Sequence, residues 1–314
     1  MRMADVPDPV AQEHEAVLEV RYAALNPADR YLSEGQYPAK PPLPHVLGRD
    51  AMGTVVQVGP GTSDLRVGDR RAILRGDVGV NRAGTFAQRV SVPEAHLVEV
   101  PDGWSEQESA GATLVYLTAY QALTMWGPLL PSAVVLVTGA SGGVGVAAVQ
   151  LAAALGYTVV ALSRSPGKSE RLRQLGATAT YNPEDPHWRA QLKAAFTPRR
   201  VDLAIDNIGG KLLPEVIDTL GELGKVSLVG RLAGPVPSFN TASLFFRRIR
   251  VGGVAVGAST AAESQANWRH VLALLARTGA RPLVDQVFPF DQLPKAFERL
   301  AQGPMGKVLL AVNA

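Results

Sequence analysis

Four glycines, Gly139, Gly142, Gly143 and Gly145, fall within VVLVTGASGGVGVAAVQLAAALG, where an apolar run ends and a helical one begins. Glycine lets the backbone turn tightly and approach an anion, whose charge then faces the first amides of the helix. An apolar strand before the glycines, a helix after them and a second strand ending near residue 163 supply the context needed to hold a dinucleotide pyrophosphate. The turn residues Ser141, Gly142, Gly143 and Val144 are therefore candidate cofactor ligands. At the end of the second strand, where an NAD enzyme places an acid against the ribose 2′-hydroxyl, the chain has Ser163-Arg164. The next helix opens Ser165-Pro166-Gly167-Lys168, with a lysine in a first turn whose dipole prefers anions. A bound 2′-phosphate explains that placement, so Ser163, Arg164 and Lys168 point to NADPH. The alternative is that Arg164 and Lys168 are ordinary surface cations.

The elements that must position these residues come in two textures. From residue 15 to about 100, short β-type runs (EAVLEVRY, AMGTVVQVG, GDRRAIL, FAQRVSV, HLVEV) are separated by Gly, Pro and Asp turns, which predicts a compact, barrel-like β domain. A helical stretch from Glu106 to about Met125 follows. The strands AVVLVTG, TVVALS, ATATY, VDLAIDN, KVSLVG and IRVGGVAV then appear in turn, the first four each leading into an amphipathic helix. Apolar strands without period-2 alternation predict a parallel sheet covered on both faces, here a doubly wound α/β nucleotide-binding sheet of six strands. A tail with a helix at about Glu263 to Thr278, the segment VFPFDQL, another helix and the strand GKVLLAV is expected to rejoin the β domain. The expected domains are 1–114, 115–258 and a return to the first over 259–314.

Composition excludes several chemistries. The chain of 314 residues has no cysteine, which removes disulfides, thiolate metal sites and cysteine nucleophiles. Five scattered histidines form no HExxH-type pair, so no metal site is expected. The formal net charge is +3, with no run of Lys and Arg long enough for a nucleic-acid or membrane arm. The densest cluster, Arg247, Arg248 and Arg250, reads as a solvated edge beside a strand. MRMADVPDP lacks the apolar core of a signal peptide, and glycines break the apolar stretch 132–162 into shorter elements. A cytoplasmic protein without a membrane span is expected.

TGASGGVG also fits the TGxxxGxG opening of short-chain dehydrogenases, but those need a Tyr-x-x-x-Lys pair, and no tyrosine here has a lysine four residues later. With the β domain first and the nucleotide fold second, the chain instead resembles the medium-chain dehydrogenase/reductase superfamily, in its zinc-independent quinone oxidoreductase and enoyl reductase branch. The resemblance runs nearly end to end, through ALNPADRYLSEGQYP, LGRDAMGTVVQVGPG, VGDR, LVYLTAY, VTGASGGVG, LGATATYN, VDLAIDNIGG and GKVLLAV. It implies a GroES-like catalytic domain and a Rossmann domain. Members usually begin with a strand of the type MKAVV, whereas this chain starts at the segment after it, so the β domain is expected to lack an edge strand.

Zinc enzymes of the superfamily use Cys, His, and Cys or a carboxylate at positions that here correspond to Asn26, Arg49 and about Leu114. Arginine cannot release its proton to bind a cation. Without zinc, charge developing on a substrate oxygen must be met by hydrogen-bond donors. The resemblance places Asn26, Tyr31 and Tyr37 in the pocket above the nicotinamide, and in enoyl thioester reductases the tyrosine matching Tyr37 is the proposed proton donor. Asp29 is read as a helix cap, and Arg49 with Asp50 as an ion pair or, alternatively, a site for a substrate carboxylate. Thr118, Tyr181, Gly230 and Lys307 enter the cofactor set on resemblance alone.

The resemblance implies an NADPH-dependent reductase of small-molecule quinones or α,β-unsaturated carbonyls. A trans-2-enoyl-thioester reductase is the enzymatic alternative, and a non-catalytic, crystallin-type cofactor binder the other. It also implies a homodimer paired through the edge strand at about Ile249 to Val256, with a tetramer as the larger possibility.

Overall fold

The computed structural model describes residues 2–74, 76–234 and 240–314. The chain forms two compact units. The first comprises Met1–Val115, Gly257–Arg269 and Arg281–Ala314, and the second Tyr116–Val256 and His270–Ala280.

In the first unit the strands are β1 (Glu15–Ala24), β2 (Asp50–Val58), β3 (Arg70–Ile73), β4 (Arg89–Pro93) and β5 (Leu97–Glu99), joined late in the chain by β12 (Val284–Pro289) and β13 (Lys307–Ala311). They form one sheet in the order β12-β13-β1-β2-β3-β5, with β4 also on β1. The long strand β1 pairs with β4 through Glu15–Glu19 and with β13 through Tyr22–Ala24, while β2 runs along its other side. Irregularities in the β1–β2 register after Val17 and Val20 let the strand bend between these partners. Alternate residues of the curved sheet, including Leu18, Val20, Val55, Ile73, Val90 and Leu310, close on one core with Phe86 and Phe297. The helices here are α1 (Pro27–Ser33), α2 (Glu106–Ala110) and α10 (Leu293–Ala301).

The helical stretch expected from Glu106 to about Met125 consists of two helices, α2 and α3 (Thr113–Thr124), broken at Gly111. A Cβ at Gly111 would stand 3.2 Å from the Lys307 side chain, so the break admits a close approach that an ordinary helical residue would oppose. It also turns the Thr113 hydroxyl and the Leu114 amide toward Asp50.

The second unit has six parallel strands: β6 (Val134–Val137), β7 (Thr158–Leu162), β8 (Ala179–Tyr181), β9 (Val201–Asp206), β10 (Leu220–Leu228) and β11 (Arg250–Gly253). Their order, β11-β10-β9-β6-β7-β8, is that of a doubly wound sheet, with the switch point between β6 and β9. The intervening helices are α4 (Gly143–Ala154), α5 (Pro166–Gln174), α6 (Trp188–Phe196), α7 (Leu212–Thr219) and α8 (Ala242–Phe245), while α9 (Ala261–Thr278) follows β11. Trp188, Leu192, Val216 and Ile217 cover one face of this sheet. No helix among the described residues is long and apolar enough to cross a membrane.

Candidate active site

The first cluster lies in the first unit, where α1 begins. Asn26 is its N-cap, and the Asn26 amide donates to the Asp29 carboxylate at 2.8 Å, one half of a capping box. The Asn26 side chain is buried and used at both ends: its Nδ2 donates to Asp50 Oδ2 at 2.9 Å, and its Oδ1 accepts from Lys307 Nζ at 2.7 Å. Lys307 gives further hydrogen bonds to the Leu25 carbonyl (3.0 Å) and Asp50 Oδ2 (3.1 Å). Its ammonium thus has three acceptors, the arrangement a buried cation requires. The other Asp50 oxygen accepts from the Leu114 amide at 3.3 Å and lies equally far from the Thr113 hydroxyl, whose one hydrogen has a closer acceptor in the Ile73 carbonyl at 2.6 Å.

Arg49 and Asp50 do not pair with each other. Consecutive residues entering a strand send their side chains to opposite faces, so each finds another partner. Arg49 Nε lies 3.2 Å from Asp29 Oδ1, while Asp50 pairs with Lys307. Neither is left for a substrate carboxylate. Asp29 is fully buried, and that burial pushes its carboxyl up to about 6 against the pull of the Arg49 guanidinium. Arg49 Nη1 donates to the Tyr37 hydroxyl oxygen at 3.1 Å, and the guanidinium carbon stands 4.4 Å from the centre of the Tyr37 ring. The cluster therefore joins Asn26 and Tyr37 through Asp29 and Arg49. Tyr31 is half-buried on α1.

This donor set does not suit zinc. Asn26 and Arg49 stand at two of the ligand positions, and the neighbourhood already holds an ammonium and a guanidinium against two carboxylates. Among the described residues no group of three His, Cys, Asp or Glu side chains could hold a metal ion.

The second cluster lies in the second unit at the ends of β6, β7 and β9. Gly139 has a φ of +55°, which makes the tight turn after β6. A Cβ on Gly145 would meet the Gly139 carbonyl oxygen at 2.3 Å, so this glycine lets α4 pack on the turn, whereas one on Gly142 would find, among the described residues, only that oxygen, at 3.5 Å. Ser141, Gly142, Gly143 and Val144 are half-buried, and the residues from Gly145 to Leu151 are buried. The turn thus presents its amides at the opening of a helix, which fits a pyrophosphate.

Asp206, at the end of β9, accepts from the Thr138 hydroxyl at 2.6 Å and from the Ile208 and Gly209 amides. Burial raises its carboxyl above the ordinary range in spite of these bonds. The ladder brings Asn207 to the glycine turn. Asn207 Nδ2 donates to the Thr138 carbonyl at 2.8 Å, but its buried Oδ1 has no donor among the described residues. An unmet buried acceptor at a switch point suits a ligand amide or hydroxyl, and Asn207 joins the candidate cofactor residues. Its sequence signal was a polar residue closing a buried strand, in VDLAIDN. Gly230 sits where a Cβ would come 2.7 Å from the Asn207 carbonyl oxygen, which gives that glycine a packing reason.

Ser163, Arg164, Ser169, Arg173, Tyr181 and Asn182 line a polar cleft of about 250 Å³ beyond β7 and β8. Burial raises the Tyr181 phenol, which keeps it a donor. Arg164 is exposed and lies 3.3 Å from Glu184, a pairing that solvent leaves weak enough to exchange. Lys168 is half-buried in the first turn of α5, and Thr118 is half-buried on α3. Lys307 sits with Asn26 in the first unit.

Comparison with known proteins agrees with both units. Residues 12–102 match the alcohol dehydrogenase GroES-like domain, and residues 143–277 match the zinc-binding dehydrogenase family. The chain is 31% identical over 315 residues to the synaptic vesicle membrane protein VAT-1 homolog of Rattus norvegicus, covering 94% of this chain and 76% of that one. It is 28% identical over 312 residues to quinone oxidoreductase of Lama guanicoe, covering 99% and 92%. Among solved structures it is similar to an NAD-dependent alcohol dehydrogenase (TM-score 0.90, 29% identity, 99% and 95% covered). A mycobacterial protein complexed with NADPH is also similar (TM-score 0.89, 25% identity, 99% and 95% covered). The two structures carry different cofactor names, so the comparison supports a nicotinamide cofactor without choosing its form. The chain belongs to the medium-chain dehydrogenase/reductase superfamily, in its quinone oxidoreductase-like branch, and is an NAD(P)-dependent oxidoreductase.

Proposed function

We propose that this enzyme is an NADPH-dependent, zinc-independent reductase of quinones and α,β-unsaturated carbonyls. The observation that carries this reading is the Tyr37 hydroxyl, which accepts from a buried arginine and so keeps its own hydrogen for another partner. When bound, the reduced nicotinamide supplies a hydride to the acceptor. The chain's part is to hold the cofactor and to supply a proton. Ser141, Gly142, Gly143 and Val144 cradle the pyrophosphate, Asn207 accepts from the cofactor through Oδ1, and Thr118 and Gly230 complete that set. Ser163, Arg164, Lys168 and Tyr181 take the 2′-phosphate, with an exposed arginine and tyrosine lining the cleft as support. Tyr37 donates its phenolic proton to the acceptor oxygen, Tyr31 lines the acceptor pocket, and Asn26 helps to shape it. Lys307 holds Asn26 in place, a task its three hydrogen bonds support.

Tyr37→Phe removes the donor, and with it the acceptor of Arg49 Nη1. It should lower kcat with phenanthrenequinone by about 100-fold, the lower end of the range for a positioned acid, and leave the Kd for NADPH unchanged. A variant with wild-type kcat would exclude Tyr37 as the donor.

A homodimer through β11 belongs to the same reading. β11 is an edge strand with Val251 exposed, and Phe245 and Phe246 nearby in the chain are exposed too. Sedimentation should give twice the chain mass of 33.2 kDa, and a 33.2 kDa species at micromolar concentration would contradict it.

A further inference from the structure

We infer that Arg49 is a positioning residue for proton donation: a strut, anchored on Asp29, that fixes the plane and hydrogen-bond direction of Tyr37. The inference rests on the reading of Tyr37 as the donor and names what makes it one. Arg49 is only 4% exposed, with a hydrogen bond from each terminal nitrogen and an ion-pair contact at Nε. Nε faces Asp29 Oδ1 at 3.2 Å, Nη2 donates to the Ala28 carbonyl at 3.3 Å, and Nη1 donates to the Tyr37 hydroxyl oxygen at 3.1 Å. The first two contacts tie the guanidinium to the opening of α1, and the third reaches across to Tyr37.

A guanidinium is a donor only. The phenol oxygen must therefore accept on the Arg49 side, and its hydrogen must point elsewhere. Among the described residues no acceptor is bonded to that hydrogen. The guanidinium also lies over the ring, its carbon 4.4 Å from the centroid, so it restrains the ring plane as well as the hydroxyl. A lysine offers neither the planar fork nor the stacking surface.

A purely structural role accounts poorly for this arrangement. Burying the Arg49–Asp29 pair carries a desolvation penalty that apolar side chains of similar volume would avoid. The pair places a charged, donor-only group against one specific phenol and draws its anchor from the helix turn that also holds Asn26. In the step it serves, the Tyr37 O–H bond breaks as an O–H bond forms on the acceptor oxygen. The hydride supplies both electrons to the acceptor carbon, water returns a proton to the phenolate, and Arg49 keeps its own proton throughout.

The test is a cycle of full-length enzymes: wild type, the charge-balanced pair Arg49→Met with Asp29→Asn, Tyr37→Phe, and the triple variant. All are assayed with NADPH and phenanthrenequinone beside their thermal midpoints. The pair should lower kcat about tenfold with the KM for NADPH unchanged, as misdirection of a reacting group does. In the Tyr37→Phe background the same pair should change kcat by less than about twofold, because the group it positions is gone. Equal losses in both backgrounds, or a pair with wild-type kcat, would overturn the strut. If Tyr37→Phe alone costs nothing, the donor reading falls first and the strut with it. Should the pair fail to fold, Arg49→Lys serves in its place: it keeps the charge against Asp29 and should show the same loss of kcat, and wild-type kcat in that variant overturns the proposal.

Discussion

Replacing Lys307 with Met should destabilise the first unit by about 3–5 kcal/mol at neutral pH, the range for breaking a buried ion pair from one side. Lys307 and Asp50 are 5% and 1% exposed, so water cannot take over for either. Without the ammonium, Asp50 keeps its hydrogen bonds from Asn26 and Leu114 but loses its cation. The Leu25 carbonyl and Asn26 Oδ1 lose their donor as well. Adding Asp50→Asn should recover much of the loss, because the double variant leaves no uncompensated buried charge. Urea denaturation of the three proteins decides the matter. A single variant within about 1 kcal/mol of wild type would mean that solvent reaches this pair.

A methyl group at Gly142 and one at Gly145 should fail differently. At Gly145 the new Cβ meets the Gly139 carbonyl oxygen at 2.3 Å and Ala140 backbone atoms at 2.6 Å. Backbone must shift, so Gly145→Ala should lose about 1–3 kcal/mol of stability together with cofactor binding. At Gly142 the fold has room, because among the described residues the new Cβ meets one neighbour, at an ordinary 3.5 Å, and this N-cap has backbone angles open to any residue. Gly142→Ala should therefore keep its unfolding midpoint within a few tenths of a kcal/mol, the usual difference at an N-cap. What it removes is the space into which a pyrophosphate must come. Its Kd for NADPH should rise at least tenfold, about 1.4 kcal/mol. Wild-type affinity in Gly142→Ala would show that the phosphates do not lie on this turn.

The second unit was legible in the sequence because its signals are local. The central strands are short apolar runs, helices alternate with them along the chain, and the glycines sit at a turn where backbone must meet backbone. The first unit was legible as β structure, but its polar cluster was not. Lys307 reaches Asn26 across 281 positions and Asp50 across 257, distances over which spacing carries no information. The adjacency of Arg49 and Asp50 misled, since strand geometry separates neighbours in sequence. The break at Gly111 was hidden in an otherwise helical pattern, where an isolated glycine carries little weight. Asn207 was visible as a polar residue ending a buried strand, and only the fold shows that one of its side-chain atoms has no partner among the described residues.

The measurement that bears most directly on the central claim is the rate of NADPH and of NADH oxidation by the wild-type enzyme, side by side, with phenanthrenequinone and with a trans-2-enoyl thioester. Rapid oxidation with the quinone, and a kcat/KM at least about tenfold higher for NADPH than for NADH, is the predicted result; tenfold corresponds to about 1.4 kcal/mol from the 2′-phosphate site. Equal use of the two cofactors would remove the phosphate role of Arg164 and Lys168. Turnover of the thioester alone would reassign Tyr37 to an enoyl reductase, and no turnover with either acceptor would contradict the reductase assignment.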